Sequence, residues 1–268
     1  MRQTIFILAI ALSAFGCSNY GKLLKSTDYQ LKYTKANEFY ENGKYGKSIG
    51  LLDQLREQYR YKDTIAYLLQ LSGKCYFEES EYDYATLFFD DYVENFPNGY
   101  YAEECAFKSL ECKYRLRNSF ELDQQETYTT IDKIKIFTNN NPNSAYLAQC
   151  NDMLDALRDN LKSKEVGRTF QYFNIGDYRA AVVSAQNTLQ AYPDIEKVEE
   201  MEFMMVKAQY NYAINSIDTK KEERFKTMLD LAKNYIRNHQ QNVPPNYTKV
   251  NDLVKNANSN ILKLNVKK

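Results

Sequence analysis

The feature that most constrains how this chain can fold is a regular spacing of small residues, aromatic residues and a proline in its first half. Counting from Gly73, the pattern places Tyr76 at +3, Ala85 at +12, Phe89 at +16 and Pro97 at +24. The two small residues allow two antiparallel helices to approach closely at their crossing, while the rings fill the space on either side. Because proline cannot continue a helix, Pro97 ends the second one. The spacing therefore predicts a helical hairpin.

This spacing resembles that of the tetratricopeptide repeat, a helix–turn–helix unit of about 34 residues. One such unit cannot bury its apolar face alone, so it needs copies stacked beside it. The recurrence of the pattern predicts five units, at 29–60, 63–97, 100–142, 144–193 and 194–240. A last helix at 247–264 can cap the exposed face of the stack. The predicted fold is all-α, a superhelical stack of about five tetratricopeptide-like helix-turn-helix repeats with a C-terminal capping helix.

The distribution of helix-breaking residues supports this division. The chain has only nine glycines and five prolines, and every proline lies at the end of a predicted unit or shortly after it. The third unit is stretched, because its two helices are joined by residues 118–124, which is more than a tight turn needs. A long connection in a compact repeat is either functional or a tolerated insertion, and the sequence leaves both interpretations open.

The N-terminus is predicted to be a targeting segment. An apolar run of eleven residues, 5–15, follows a basic start and is too short to span a bilayer as a helix. It ends in Ala14-Phe15-Gly16-Cys17-Ser18, which resembles the lipobox of bacterial lipoproteins. The resemblance implies cleavage before Cys17 and attachment of lipid to this residue. The alternative is an ordinary signal peptide in which the cysteine has no such role.

Composition argues against several kinds of chemistry. Lys plus Arg (35) balances Asp plus Glu (35), which argues against nucleic acid as a partner. A single histidine, His239, and the lack of a paired cysteine motif leave no predicted metal site, catalytic triad or cofactor. We therefore expect no enzyme activity. Four cysteines beyond Cys17 are interpreted as buried thiols, although a cross-helix disulfide stays open: Cys75, Cys105, Cys112 and Cys150.

Stacked repeats present the first helix of each pair on one concave face, and this face carries the candidate binding residues. The repeat pattern places Tyr40, Phe77 and Phe173 at one equivalent position there. Aromatic rings with interleaved amides suit an extended peptide, because rings contact alternate side chains and amides pair with its backbone. The predicted groove consists of Tyr33, Asn37, Tyr40, Tyr67, Gln70, Lys74 and Phe77. The competing interpretation is that these rings only pack between neighbouring repeats.

Charge is distributed unevenly along the chain. Residues 75–107 contain nine acidic residues and no lysine or arginine, whereas the last helix and tail carry five lysines against Asp252 alone. These stretches are either solvated faces or surfaces for different partners.

Three features together resemble the BamD family, the lipoproteins of the β-barrel assembly machinery in Gram-negative outer membranes. They are the segment 20–28 after the lipobox, the joint Phe-Pro-Asn-Gly-Tyr-Tyr-Ala-Glu-Glu at 96–104, and the extended third unit with Tyr128 and Phe137. The resemblance implies a scaffold that is lipid-anchored in the outer membrane and faces the periplasm. Its C-terminal repeats would dock on a BamA-type insertase beside other assembly subunits, and its N-terminal repeats would receive unfolded barrel proteins.

Two other functions remain open at this point. A periplasmic repeat lipoprotein can instead scaffold another envelope or secretion complex, and a glycan-binding lipoprotein is disfavoured because the chain has no tryptophan. The predicted segments are a signal peptide at 1–16, a lipidated tether at 17–28, N-terminal repeats 1–3 at 29–142, C-terminal repeats 4–5 at 143–240, and a capping helix with a basic tail at 241–268.

Overall fold

A computed structural model describes residues 19–266, and every regular element among them is a helix. In chain order the helices are α1 (19–25), α2 (Tyr29–Glu41), α3 (Tyr45–Gln58), α4 (Thr64–Glu78), α5 (Tyr82–Asn95), α6 (Ala102–Arg115), α7 (Gln125–Asn140), α8 (Leu147–Asn174), α9 (Tyr178–Ala191), α10 (Val198–Ile214), α11 (Asp218–His239) and α12 (Tyr247–Val266). The described residues form two compact units, one of 19–118 with 125–154 and one of 119–124 with 155–266.

The predicted fold class is confirmed. Five helical hairpins, α2–α3, α4–α5, α6–α7, α8–α9 and α10–α11, follow one another, and α12 packs against α10 and α11 as a capping helix. Helix α8 departs from the repeat pattern, because its 28 residues make it about twice as long as most of the others.

The close helix crossing predicted from the spacing lies in the first unit, between α4 and α5. Ala85 and Phe89 are fully buried there. A Cβ atom added to Gly73 would lie 2.6–2.9 Å from three atoms of the Phe89 ring, so this position accepts only glycine without movement. The small residue therefore determines how near the two helices lie.

Each of three hairpin turns contains one residue in the left-handed region. Gly43 (φ 67°) precedes α3, Gly176 (φ 83°) precedes α9, and Ser80 (φ 63°) precedes α5, each two residues before the helix begins. Glycine adopts this conformation without a steric penalty, whereas a residue with a Cβ atom is strained in it. Ser80 therefore carries strain that the corresponding glycines avoid.

Residues 19–25 of the predicted tether are helical and belong to the first core. The Tyr20 hydroxyl donates to the Lys47 carbonyl oxygen at 2.9 Å, and Leu23 and Leu24 pack against α2 and α3. The buried Lys32 ammonium donates to the Leu24 carbonyl oxygen at 3.1 Å. Residues 19–25 are thus fixed to the first hairpin.

In the second unit, the extra residues of the long connection fold onto α8. The Lys164 ammonium donates to the carbonyl oxygens of Glu121 and Leu122, at 2.8 and 3.0 Å. The Asn160 amide donates to the Gln124 side-chain oxygen at 2.7 Å. The connection is therefore an ordered loop with its own polar contacts to the helix.

The four cysteines among the described residues are buried and unpaired, as the sequence predicted. Burial raises the pKa of the Cys75 thiol to about 11 and that of the Cys105 thiol to about 12, so both are protonated at neutral pH. They act as small apolar side chains in the core.

Replacing Gly73 with alanine is expected to lower the free energy of unfolding by about 1–3 kcal/mol, because the new methyl group overlaps the Phe89 ring. Chemical denaturation of the two proteins measures the difference. Gly21→Ala is the matched control, since nothing lies within 4 Å of the added Cβ atom. Equal destabilisation by both substitutions would contradict the close crossing.

Replacing Ser80 with glycine is expected to raise the free energy of unfolding by up to about 1 kcal/mol, because the strain of the positive φ is relieved. Urea denaturation checks this, with Ser80→Ala as the control that keeps the strain. A Ser80→Gly protein less stable than the Ser80→Ala protein would show that the turn is not strained.

Candidate peptide-binding surface

All seven residues of the predicted groove lie in the first unit, on the first helices of two successive hairpins. Tyr33, Asn37 and Tyr40 belong to α2, and Tyr67, Gln70, Lys74 and Phe77 belong to α4. Six are partly buried and Gln70 is buried. The residues therefore form a surface whose side chains are already in contact with their neighbours.

The centre of this surface is a set of linked tyrosines. The Tyr67 hydroxyl donates to the side-chain oxygen of Asn37, whose amide donates to the Tyr33 carbonyl oxygen at 2.9 Å. Ring centroids lie 5.8 Å apart for Tyr33 and Tyr67, and 6.4 Å apart for Tyr67 and Tyr101. Burial, with the nearby tyrosines, raises the pKa of Tyr67 to about 12, so its hydroxyl stays a neutral donor.

Gln70 and Lys74 converge on one carboxylate of α6. The Gln70 amide donates to one oxygen of Glu104 at 3.3 Å, and the Lys74 ammonium lies 2.8 Å from the other. Gln70 is only 2% exposed, so its amide holds Glu104 and is not presented to a ligand. Lys74 stays partly exposed and supplies the polar edge of the surface.

The repeat-equivalent rings also occupy equivalent places in the structure. Tyr40, Phe77 and Phe173 each meet the tyrosine five residues later, with ring centroids 5.6, 5.5 and 5.5 Å apart. Their partners are Tyr45, Tyr82 and Tyr178, which begin the second helix of each hairpin. Each ring therefore packs across the turn of its own hairpin and keeps only part of its surface for a ligand.

Helix α6 and the residue directly before it, Tyr101, add contacts that were not predicted from the sequence. Tyr101 continues the row of tyrosines, Glu104 accepts from Gln70, and the Lys108 ammonium lies 4.2 Å from the centroid of the Phe77 ring. The sequence does contain a pattern that identifies these residues, because each follows a residue of the predicted groove by 34 positions. Tyr101 follows Tyr67, Glu104 follows Gln70, and Lys108 follows Lys74. Tyr33 precedes Tyr67 by the same interval, so one repeat period generates the tyrosine row.

Three successive first helices, with Tyr101 directly before the third, thus build one surface, which we call the tyrosine face: Tyr33, Asn37, Tyr40, Tyr67, Lys74, Phe77, Tyr101, Glu104 and Lys108. Its rings, hydroxyls and paired charges suit contact with a polypeptide. Within residues 19–266, no group of three or more His, Cys, Asp or Glu side chains is arranged to hold a metal ion.

The predicted lipid attachment site lies elsewhere in the chain. Cys17, the leader 1–16 and the last two lysines fall outside the described residues. Across the part that is described, no helix is both long enough and apolar enough to cross a membrane.

Comparison with known proteins assigns the chain to a family. It is a helical-repeat protein by its fold, and the family profile YfiO, described as outer membrane lipoprotein, matches residues 26–227. The chain belongs to this family of outer membrane lipoproteins. A search of curated proteins finds no match.

Solved structures similar to this chain are tetratricopeptide-repeat proteins. The tetratricopeptide domain of P58(IPK) aligns at 12% identity with a TM-score of 0.42, covering 92% of this chain and 69% of its own. The TPR2AB domain of yeast Sti1, in a complex with pHSP90, aligns at 14% identity with a TM-score of 0.40, covering 86% and 98%. A repeat protein from Bacteroides fragilis aligns at 13% identity with a TM-score of 0.36, covering 87% and 99%.

The contact between Lys74 and Glu104 is expected to stabilise the tyrosine face weakly. Both side chains are about one quarter exposed, so a double-mutant cycle with Lys74→Met and Glu104→Gln should give a coupling free energy of about 0.2–1 kcal/mol that falls with added salt. Chemical denaturation of the parent, the two single variants and the double variant gives the free energies of unfolding from which this coupling is calculated. A coupling of zero at low salt would mean that the two charges do not interact.

Proposed function

We propose that this protein is a scaffold of the outer-membrane β-barrel assembly machinery, anchored by lipid at Cys17 and facing the periplasm. The family match over residues 26–227 is the observation that carries the proposal. In this role the protein docks on a BamA-type insertase beside other assembly subunits, and it receives unfolded barrel proteins on the tyrosine face.

The chemistry of the tyrosine face supports the second part of the proposal. Barrel strands alternate apolar and polar side chains, so an extended strand can place every second side chain against a ring. Tyrosine offers a large apolar ring and a hydroxyl at its tip, which suits contact with such a strand. Because Tyr33, Tyr67 and Tyr101 already form a row, the surface does not have to be assembled when the peptide binds.

Docking on the insertase is assigned to the C-terminal repeats, within helices α10 and α11. The turn between them carries Ile217, whose side chain is 71% exposed, and Ile214, the last residue of α10, is 39% exposed. Exposed apolar side chains at the end of α10 and in this turn are compatible with a protein interface. We assign docking to this region as a whole.

Native purification of the protein from detergent-solubilised membranes, with mass spectrometry of its partners, tests the assembly role. A BamA-type insertase is expected in stoichiometric yield, and depletion of the protein should lower outer-membrane barrel proteins generally. Recovery of a different envelope or secretion complex, with barrel levels unchanged, would contradict the role and favour the alternative scaffold.

Site-specific photo-crosslinking tests the tyrosine face. A photoreactive phenylalanine derivative at Phe77 is expected to capture a synthetic peptide that carries the C-terminal strand of a barrel protein. The same derivative at Phe173 is the matched control, because Phe173 occupies the equivalent position in repeat four and has the same ring contact. Equal capture at both positions would refute a binding surface specific to the N-terminal repeats.

A further inference from the structure

Positive charge is concentrated at the end of the fold that follows the predicted lipid attachment site. Residues 19–50 contain six lysines, namely Lys22, Lys25, Lys32, Lys35, Lys44 and Lys47. The same stretch contains three acidic residues, namely Asp28, Glu38 and Glu41. The acidic stretch at 75–107, which has nine acids and no basic residue, follows only after α3. Charge thus changes sign along the first unit.

Two of these six lysines are used within the fold. The Lys32 ammonium is buried and bonds the Leu24 carbonyl oxygen, and Lys35 forms an ion pair with Glu38. The other four form no ion pair with a carboxylate among residues 19–266: Lys22, Lys25, Lys44 and Lys47. Lys22, Lys25 and Lys44 are exposed, and Lys47 is partly buried.

Contacts of Tyr20 fix α1, the helix that carries Lys22, to α3, the helix that carries Lys47. Its hydroxyl donates to the Lys47 carbonyl oxygen at 2.9 Å, and the Lys47 ammonium lies 5.5 Å from the centroid of its ring. Lys22 follows Tyr20 by two residues, and Lys44 is the N-cap residue of α3. The Glu79 carboxylate also lies here and accepts from the Gly46 amide at 3.0 Å, so the cluster keeps a positive balance. We call Lys22, Lys44 and Lys47 the anchor lysines.

The chain itself places this cluster near the membrane if Cys17 carries lipid. Asn19, the first described residue, is two peptide units from Cys17, a distance of at most about 7 Å. Helix α1 begins there and is fixed to α3, so the first hairpin lies close to Cys17 along the chain. Charges are screened over about 8 Å at physiological ionic strength, so an interaction with headgroup charges requires the anchor lysines to approach the membrane surface to about this distance.

We propose that the anchor lysines bind anionic phospholipid headgroups and hold the first hairpin against the membrane surface. The inference rests on the proposed lipidation of Cys17. A basic segment beside a lipid anchor supplies a second membrane signal, and each lysine near an anionic surface strengthens binding about fivefold. The three lysines together would contribute about a hundredfold.

Vesicle sedimentation of the mature chain with Cys17→Ser, which removes the acyl chains, tests the proposal directly. At low ionic strength this chain is expected to bind vesicles of phosphatidylethanolamine and phosphatidylglycerol, and not vesicles of phosphatidylethanolamine and phosphatidylcholine. Substituting Gln for Lys22, Lys44 and Lys47 should weaken binding about a hundredfold. The matched control substitutes Gln for three exposed lysines of α12: Lys249, Lys255 and Lys263. It should bind like the parent chain.

Three results would overturn the proposal: equal binding to both kinds of vesicle, undiminished binding by the anchor-lysine variant, or equal loss in the α12 control. Complete competition by millimolar inorganic phosphate at constant ionic strength would assign the lysines to free phosphate instead. Thermal unfolding of each variant verifies that the fold is kept.

The vesicle-binding test of the anchor lysines can be separated from the test of the assembly role. The anchor-lysine variant with Cys17 retained is expected to recover the same partners from membranes as the parent protein. Failure to recover an insertase with either chain would reject the assembly role and leave the vesicle result standing.

Discussion

The close approach of α4 and α5 at Gly73 is the contact on which the first unit depends. Because Gly73 has no Cβ atom, the Phe89 ring lies against the backbone of α4, and Ala85 is fully buried beside it. A hairpin closed this tightly presents two ordered helix faces to its neighbours. The tyrosine face includes Tyr67, Lys74 and Phe77 of α4, the helix that carries Gly73.

The tyrosine face shows how one position of a sequence repeat generates an extended surface. Tyr33, Tyr67 and Tyr101 stand 34 residues apart and lie side by side, since each is placed by its own hairpin. Each further repeat can add one more ring to a surface of this kind. The paired charges of Lys74 and Glu104 then link neighbouring repeats without a buried unpaired ion.

Most of the fold could be predicted from sequence because its signals are local. Small residues, turn glycines and prolines at fixed intervals specify a hairpin wherever they occur, and the helices appear close to where this pattern placed them. The candidate site was predicted less completely. Gln70 was assigned to the ligand but is buried against Glu104, and Tyr101 was overlooked although it lies one repeat beyond Tyr67.

The sequence by itself determined the helical hairpins, their number and the periodic rings, because these depend on residues within one repeat. Only the tertiary structure decided which polar side chains are bonded within the fold, as Gln70 is to Glu104, since such partners come from the next repeat. It also decided that residues 19–25 pack into the first core and that the connection at 119–124 folds onto α8. Such contacts join segments that are far apart in the sequence, so no local spacing predicts them, and they form only when the chain is folded.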